Sequence, residues 1–240
     1  MFTHQGAHRT HAQNLRIAGL LSFVAGAVNV IGFVAVGRLT TNVTGHFAFF
    51  MGDVRDQQWR AALVFFLFIF AFFAGAFVSN SLIELARRFR NRNRYLLPIL
   101  LEVVLLGSVA FAGSELQQWQ PNSIALLLLF AMGLQNALVT KISNAVVRTT
   151  HLTGLFTDLG IEISQWFFFK KAEEHAVLRP IIQLRLLIIS CFFTGGIVGG
   201  LLFAQWLFWS LLLPCLLLLL GLWYDLYKTR RSLGAKTAAQ

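Results

Sequence analysis

This chain has little charge. Only 12% of its 240 residues are Asp, Glu, Lys or Arg, where a soluble domain carries about 25%. Hydrophobic residues make up 57%, and mean hydropathy is +0.67. One water-soluble core cannot bury that much apolar surface, so a soluble protein is excluded. Cysteine is scarce as well. Cys191 and Cys215 both lie in apolar runs, which excludes a disulfide framework and leaves two buried thiols. No G-x-x-x-x-G-K-[ST] loop, G-x-S-x-G elbow or H-E-x-x-H helix occurs. The chain therefore has no ATP engine of its own and no recognisable hydrolase or zinc-protease centre. The expectation is a non-enzyme with no catalytic residue, metal or cofactor. His4, His8 and His11 are read as scattered polar residues of a tail. The first apolar run is too long for the core of a cleavable signal peptide.

Uncharged apolar runs of about 20 residues are what the chain has instead, each long enough for a helix to cross about 30 Å of hydrocarbon. Six spans are read: Ile17–Val36, Ala61–Ile83, Tyr95–Ala112, Ser123–Val139, Leu186–Ala204 and Leu207–Tyr224, the last two as a tight hairpin. The net charge of +10 would suggest nucleic acid in a soluble protein. Here the basic residues sit in short segments between spans, so topology and lipid head groups account for them, and no nucleic-acid partner is expected. With six spans, RRFRNRNR (Arg87–Arg94), the segment with Lys170, Lys171 and Arg179, and YKTRRSLGAK (Tyr227–Lys236) share one side. GSELQQWQPN (Gly113–Asn122) and the turn at Gln205–Trp206 hold no Lys or Arg. The positive-inside rule then places both termini in the cytoplasm of a bacterial inner membrane. The loop with Arg38, Arg55 and Arg60 fits that rule less well.

The halves repeat. GAVNV (Gly26–Val30) matches GLQNA (Gly133–Ala137), which pairs Asn29 with Asn136. TTNVTGHF (Thr40–Phe47) matches TTHLTGLF (Thr149–Phe156). FFAGAFV (Phe72–Val78) matches FFTGGIV (Phe192–Val198), and LLPILLEVVLL (Leu96–Leu106) matches LLPCLLLLLGL (Leu212–Leu222). Three spans per copy is an odd number, so the second copy enters the membrane from the opposite face. The expected fold is an all-α polytopic membrane protein of two inverted-topology three-helix repeats, with half-helices after the Thr-Gly motifs. Its layout is a polar tail 1–16, a first repeat 17–113, an external linker 114–122, a second repeat 123–227 and a basic cytoplasmic tail 228–240. The twin T-T-x-x-T-G motifs, the G-x-x-N of spans one and four and the six-span layout resemble the YoaK-like family of bacterial integral membrane proteins. That resemblance spans roughly 17–227, implies fold and location, and supplies no substrate. His46 stands where the family commonly has Asn after the first T-G.

Threonine hydroxyls bond locally to backbone and glycine admits unusual conformations, so both favour breaks in helices. Irregular backbone at membrane depth survives only when buried in protein or lining a wet cavity. Thr40, Thr41, Thr44 and Gly45 are expected to open a short half-helix, His46–Gly52. Thr149, Thr150, Thr153 and Gly154 are expected to open another, Leu155–Phe169. The free N–H groups at such helix starts suit a small polar or anionic solute. Ordinary N-capping explains a single copy equally well. Asn29 and Asn136, with Gln135 beside the latter, either line a solute path or bond across the pseudo-two-fold axis. His46 and His151 flank the two motifs. Glu102 is the acid inside a span, either a coupling group or a partner of the arginines in RRFRNRNR. Asp158 and Glu162 share one helix face, and Asp158 is the second coupling candidate. Gly195, Gly196, Gly199 and Gly200, with Ala71, Gly75 and Ser79, read as packing stripes that bring spans two and five to each other or to a common neighbour.

The expected function is a secondary or facilitative permease for a small solute, its site formed near the midplane by the two T-T-x-x-T-G motifs. A membrane-embedded enzyme is one alternative, and it needs His46, Asp53, His151 and Asp158 to converge. A scaffold or assembly factor with sealed knots is the other. Homo-oligomerisation is left open.

Overall fold

The computed structural model describes residues 9–89 and 93–237, with side chains up to residue 228. His4 and His8 of the tail, and Arg90 and Arg92 of RRFRNRNR, lie outside the described residues. Those described form eight α-helices and no strand: α1 (His11–Val36), α2 (Val43–Arg55), α3 (Trp59–Arg88), α4 (Leu96–Trp119), α5 (Pro121–Ser143), α6 (Leu152–Phe168), α7 (Ala172–Trp206) and α8 (Leu212–Thr237). A 3-10 turn at Leu207–Leu211 joins α7 to α8.

Five helical segments are long and apolar enough to cross a membrane. They are α1, α3, α4, α5 and the continuous stretch Ala172–Lys228, which holds α7, the 3-10 turn and α8. The chain is a multi-pass membrane protein. Its first helix starts inside what the sequence reads as the polar tail. Thr10 caps α1 by accepting from the Gln13 N–H, while the Gln13 side chain accepts from the Thr10 N–H. That reciprocal pair extends a helix well below its apolar part. At the far ends, α1 stops at Gly37 (φ 67°) and α5 at Asn144 (φ 54°), both in the left-handed region that terminates helices.

Two helix crossings hold the bundle together, α1 on α7 and α3 on α5. Each needs glycine on both helices. A Cβ on Gly26 would fall on the Phe192 carbonyl, and one on Gly195 on the Phe23 carbonyl. In α3 and α5, a Cβ on Gly133 would fall on the Phe72 carbonyl, and one on Gly75 on the Phe130 carbonyl. The four positions correspond in the register that aligns the sequence halves. Backbone approach of this kind is how membrane helices gain packing energy where lipid offers no hydrophobic drive. Gly75 and Gly195 therefore do not bring spans two and five together; each meets the first span of the other half. The rest of the packing follows the same exchange. Helix α2 lies on α3 as α6 lies on α7, α4 on α5 as α8 on α1, and α1–α5 and α4–α8 are self-matched.

Polar pairs fix the ends. Arg16 Nη1 donates to the Tyr224 hydroxyl at 2.9 Å, and Lys141 Nζ lies 2.9 Å from Glu84 Oε1. These bring the start of α1 and the ends of α3, α5 and α8 to one end, the basic end. At the other end Gln117 Nε2 donates to the Ala35 carbonyl at 2.7 Å.

Gly133→Leu is expected to lower the melting temperature in detergent steeply, since overpacking of this kind costs about 1–3 kcal/mol or more. Gly107→Ala is expected to leave it unchanged, because nothing lies within 4 Å of the added carbon. Equal melting of the two variants would remove the crossing from the account of stability.

Candidate functional site

Beyond Gly37 the chain folds back along α1, so that Thr40 and Thr41 lie beside Asn29. The Asn29 Oδ1 accepts three hydrogen bonds: from the Thr40 N–H at 3.1 Å, the Thr41 N–H at 3.2 Å and the Thr41 hydroxyl at 2.9 Å. The Thr40 hydroxyl donates to the Val28 carbonyl at 3.3 Å. Both threonines are buried. One amide oxygen thus satisfies two backbone donors that neither helix nor water supplies, as irregular backbone requires in lipid. Asn42 then caps α2, accepting from the Gly45 N–H at 3.0 Å. Helix α2 therefore runs over Val43–Arg55 rather than His46–Gly52, and Thr44 lies exposed on its first turn.

His46 closes this half. Its Nε2 is 2.7 Å from the Leu39 carbonyl, and its ring centroid lies 5.9 Å from Phe65 and 5.3 Å from Phe68. The Arg38 guanidinium sits 4.9 Å above the Phe65 ring, a cation–π contact. His46, Phe65 and Phe68 pack against one another between α2 and α3.

The second motif is built on the same plan with fewer bonds. Asn136 Oδ1 accepts from the Thr150 hydroxyl at 3.2 Å. Thr149 is fully buried and its hydroxyl has no partner among the described residues. The loop is two residues longer, and Ala145 joins Asn144 at positive φ. Helix α6 starts at Leu152, not Leu155, and ends at Phe168; no side chain caps its first turn, and His151 and Thr153 are exposed. Each asparagine thus ties the knot of its own half, and neither bonds across to the other. Gln135, beside Asn136, does bond across: its Nε2 donates to the Leu21 carbonyl at 3.0 Å.

Below the second knot lies a cavity of about 730 Å³. Arg148, His151, Gly154 and Leu155 come from the knot and α6, Arg185 and Ile188 from α7, and His11 and Asn14 from the start of α1. Its charged wall is one guanidinium held by two carboxylates. Arg185 lies 2.9 Å from Asp158 Oδ2 and 2.7 Å from Glu162 Oε2, both presented by α6. Arg148 is exposed to the cavity and makes no ion pair among the described residues. No residue of the first motif lines this space.

The register between the halves gives the cavity its meaning. Leu155 stands where His46 stands, Arg185 where Phe65 stands and Ile188 where Phe68 stands. The residues that plug the α2/α3 interface have counterparts that wall an opening between α6 and α7.

Other expectations fall differently. Glu102 is fully buried, and neither carboxylate oxygen has a hydrogen-bond partner among the described residues, so no described arginine of RRFRNRNR pairs with it. It does not line the cavity. His46 and Asp53 belong to the filled half, whereas His151 and Asp158 face the cavity. No three His, Cys, Asp or Glu side chains among the described residues are close enough to hold a metal ion. Sequence reasoning passed over Arg148 and Arg185. The signal for Arg185 was present in the two acids four residues apart on α6, which need a cation on the facing helix.

The family described as "Protein of unknown function (DUF1275)" matches residues 17–224. The "UPF0700 transmembrane protein YoaK" of Bacillus subtilis (strain 168) is 25% identical over 187 residues, covering 77% of this chain and 82% of that protein. No solved structure matches.

Asn29→Leu strands three donors and Asn136→Leu one. The first is expected to cost about 3 kcal/mol and the second about 1 kcal/mol, read as melting temperatures of the purified protein. The reverse order would mean that the knots are not held by these amides.

Proposed function

The chain belongs to the DUF1275 family, and from that premise we propose that it is a permease for a small polar or anionic solute, secondary or facilitative in mechanism. One observation carries the reading. The same place in the two halves is filled beside α2 by His46, Phe65 and Phe68 and open beside α6. In a transporter built from inverted repeats, the halves hold different conformations, and exchanging them moves the opening from one face of the membrane to the other. The matched helix crossings support two three-span repeats, six spans in all, with α7 and α8 as the last two. The gathering of Arg16, Arg87, Lys141 and Arg148 at one end supports a cytoplasmic placement of that end and of both termini in a bacterial inner membrane. The open cavity is then the inward-facing vestibule.

The knots act in this reading as hinges. Thr40, Thr41 and Asn29 hold one, and Thr149, Thr150 and Asn136 hold the other. Solute meets the uncapped start of α6 and Arg148, which offer N–H groups and positive charge. Asp158, shared with Glu162 on Arg185, is the coupling carboxylate. The role expected for Glu102 has no geometric support, because the cavity does not reach it.

Proteoliposomes screened with small anions and zwitterions test the reading. Uptake of at least one solute is expected, and Arg148→Gln and Arg185→Gln are each expected to lower it about tenfold or more. Thr44→Val, on the exposed face of α2, is expected to leave uptake unchanged. On a background lacking Cys191 and Cys215, His151→Cys is expected to react with a water-soluble maleimide and Leu39→Cys to be protected. No uptake of any solute, with both cysteines equally protected, would favour a sealed scaffold instead.

A further inference from the structure

A second concave surface lies outside the vestibule, in the groove between α3 and α5 at the basic end. It encloses about 560 Å³ and is lined by Asn80, Arg87, Asn136, Thr140, Lys141 and Asn144, with small residues beneath them. The groove faces outward. Phe73 and Phe77, on α3 two turns and one turn above Asn80, are 62% and 65% exposed, as lipid-facing side chains are.

The fold does not demand a polar lining here. The matching groove between α7 and α1 is lined by Val30, Phe192, Phe193, Gly196, Ile197, Gly200 and Leu201. In the register between the halves, Asn80 stands where Gly200 stands and Thr140 where Phe33 stands. Polar side chains facing lipid need partners, yet those of Asn80, Thr140 and Asn144 make no hydrogen bond among the described residues. Asn136 has its oxygen committed to Thr150, so its amide N–H groups remain as donors. Two cations stand at the mouth with one acid. Glu84 lies 2.9 Å from Lys141 and 3.6 Å from Arg87. Amide and hydroxyl donors, two cations at the mouth, a depth near the head groups and exposed aromatic rings above describe a receptor for a phosphate carrying acyl chains.

We propose that this groove binds the phosphate head group of an anionic phospholipid, with its chains along Phe73 and Phe77. Because Asn136 lines the groove and holds Thr150, a bound lipid also braces the second knot. The proposal stands apart from any transport activity.

The test uses the full chain in detergent, with melting followed as phosphatidylglycerol, phosphatidylcholine or inorganic phosphate is added. Phosphatidylglycerol is expected to raise the melting temperature by about 3 °C or more, and the other two to leave it unchanged. Asn80→Leu and Thr140→Val, which break no bond within the protein, are expected to abolish that rise. If either variant fails to fold, Lys141→Gln replaces it, with phospholipid phosphorus retained per chain after purification as the readout. A retained amount equal to wild type, or a rise that survives in the variants, overturns the proposal. An equal rise with phosphatidylcholine overturns head-group selectivity, and an equal rise with inorganic phosphate replaces the lipid by the free ion. Loss of a dimer in Asn80→Leu would assign the groove to a second copy of the chain.

Discussion

The structure depends on one side-chain oxygen per half. A chain that turns back on itself at membrane depth exposes backbone donors that lipid cannot satisfy, at several kcal/mol each. Asn29 takes up the N–H groups of Thr40 and Thr41 together with the Thr41 hydroxyl. Without such an acceptor the segment after α1 has two outcomes: continue as helix into solvent, or leave its donors bare. With it, α2 starts beside the middle of α3 and runs back along it. Everything placed by α2, including His46 against Phe65 and Phe68, follows from that bond set. Asn136 accepts only the Thr150 hydroxyl among the described residues and no backbone N–H, so the second knot is held by fewer bonds.

That difference in bonding goes with a difference in filling. Aromatic side chains bury large areas and interlock, and His46, Phe65 and Phe68 pack ring against ring at the α2/α3 interface. At the same three positions beside α6 stand Leu155, Arg185 and Ile188, and a guanidinium cannot be packed away as a ring can. It is met instead by Asp158 and Glu162, and charges on a cavity wall keep that space wet. Buried polar atoms without a partner among the described residues occur beside both motifs: the Thr149 hydroxyl at one, His46 Nδ1 and Arg38 Nε at the other. Helix capping differs, since Asn42 accepts from the Gly45 N–H of α2 and no side chain caps α6. Two segments of matching sequence therefore carry two chemistries, and the residues that separate them lie on facing helices.

The membrane class and the apolar helices were legible because they rest on composition and on the length of uncharged runs. G-x-x-N and T-T could be read as related pieces, since both recur together. Their direct bonding could not, because the spacing between them changes by two residues from one half to the other, and only the left-handed turn at Asn144 and Ala145 absorbs the extra length. Assigning the asparagines to bonds between halves failed for the same reason: sequence gives depth along a helix but not which neighbour faces it. Gln135, which does bridge to Leu21, has the apolar Val28 as its counterpart, so symmetry pointed away from it. Helix starts were misplaced by three residues because the T-G pair was read as the break itself. The cap lies earlier, at Asn42 and His151. The basic residues were read as markers of orientation, which hid Arg148 and Arg185 as walls of a cavity.

Glycine and asparagine together explain why the two halves can differ in shape while sharing a frame. The Gly26–Phe192, Gly195–Phe23, Gly133–Phe72 and Gly75–Phe130 approaches are backbone on backbone, and such contacts have no side-chain rotamers to adjust. They fix α1 against α7 and α3 against α5 as rigid crossings. The knots hang on side-chain hydrogen bonds to a loop, worth about 0.5–1.5 kcal/mol each, well within the range that a ligand or a neighbouring charge can shift. Motion is therefore expected to concentrate in α2 and α6, pivoting about Asn29 and Asn136, while the four crossed helices stay in place. Arg185 sits on α7, one of the crossed helices, and its two carboxylates on α6. Under the proposed motion that ion pair is made or broken as α6 moves, so a change of charge in the Arg185–Asp158–Glu162 cluster is expected to bias the movement.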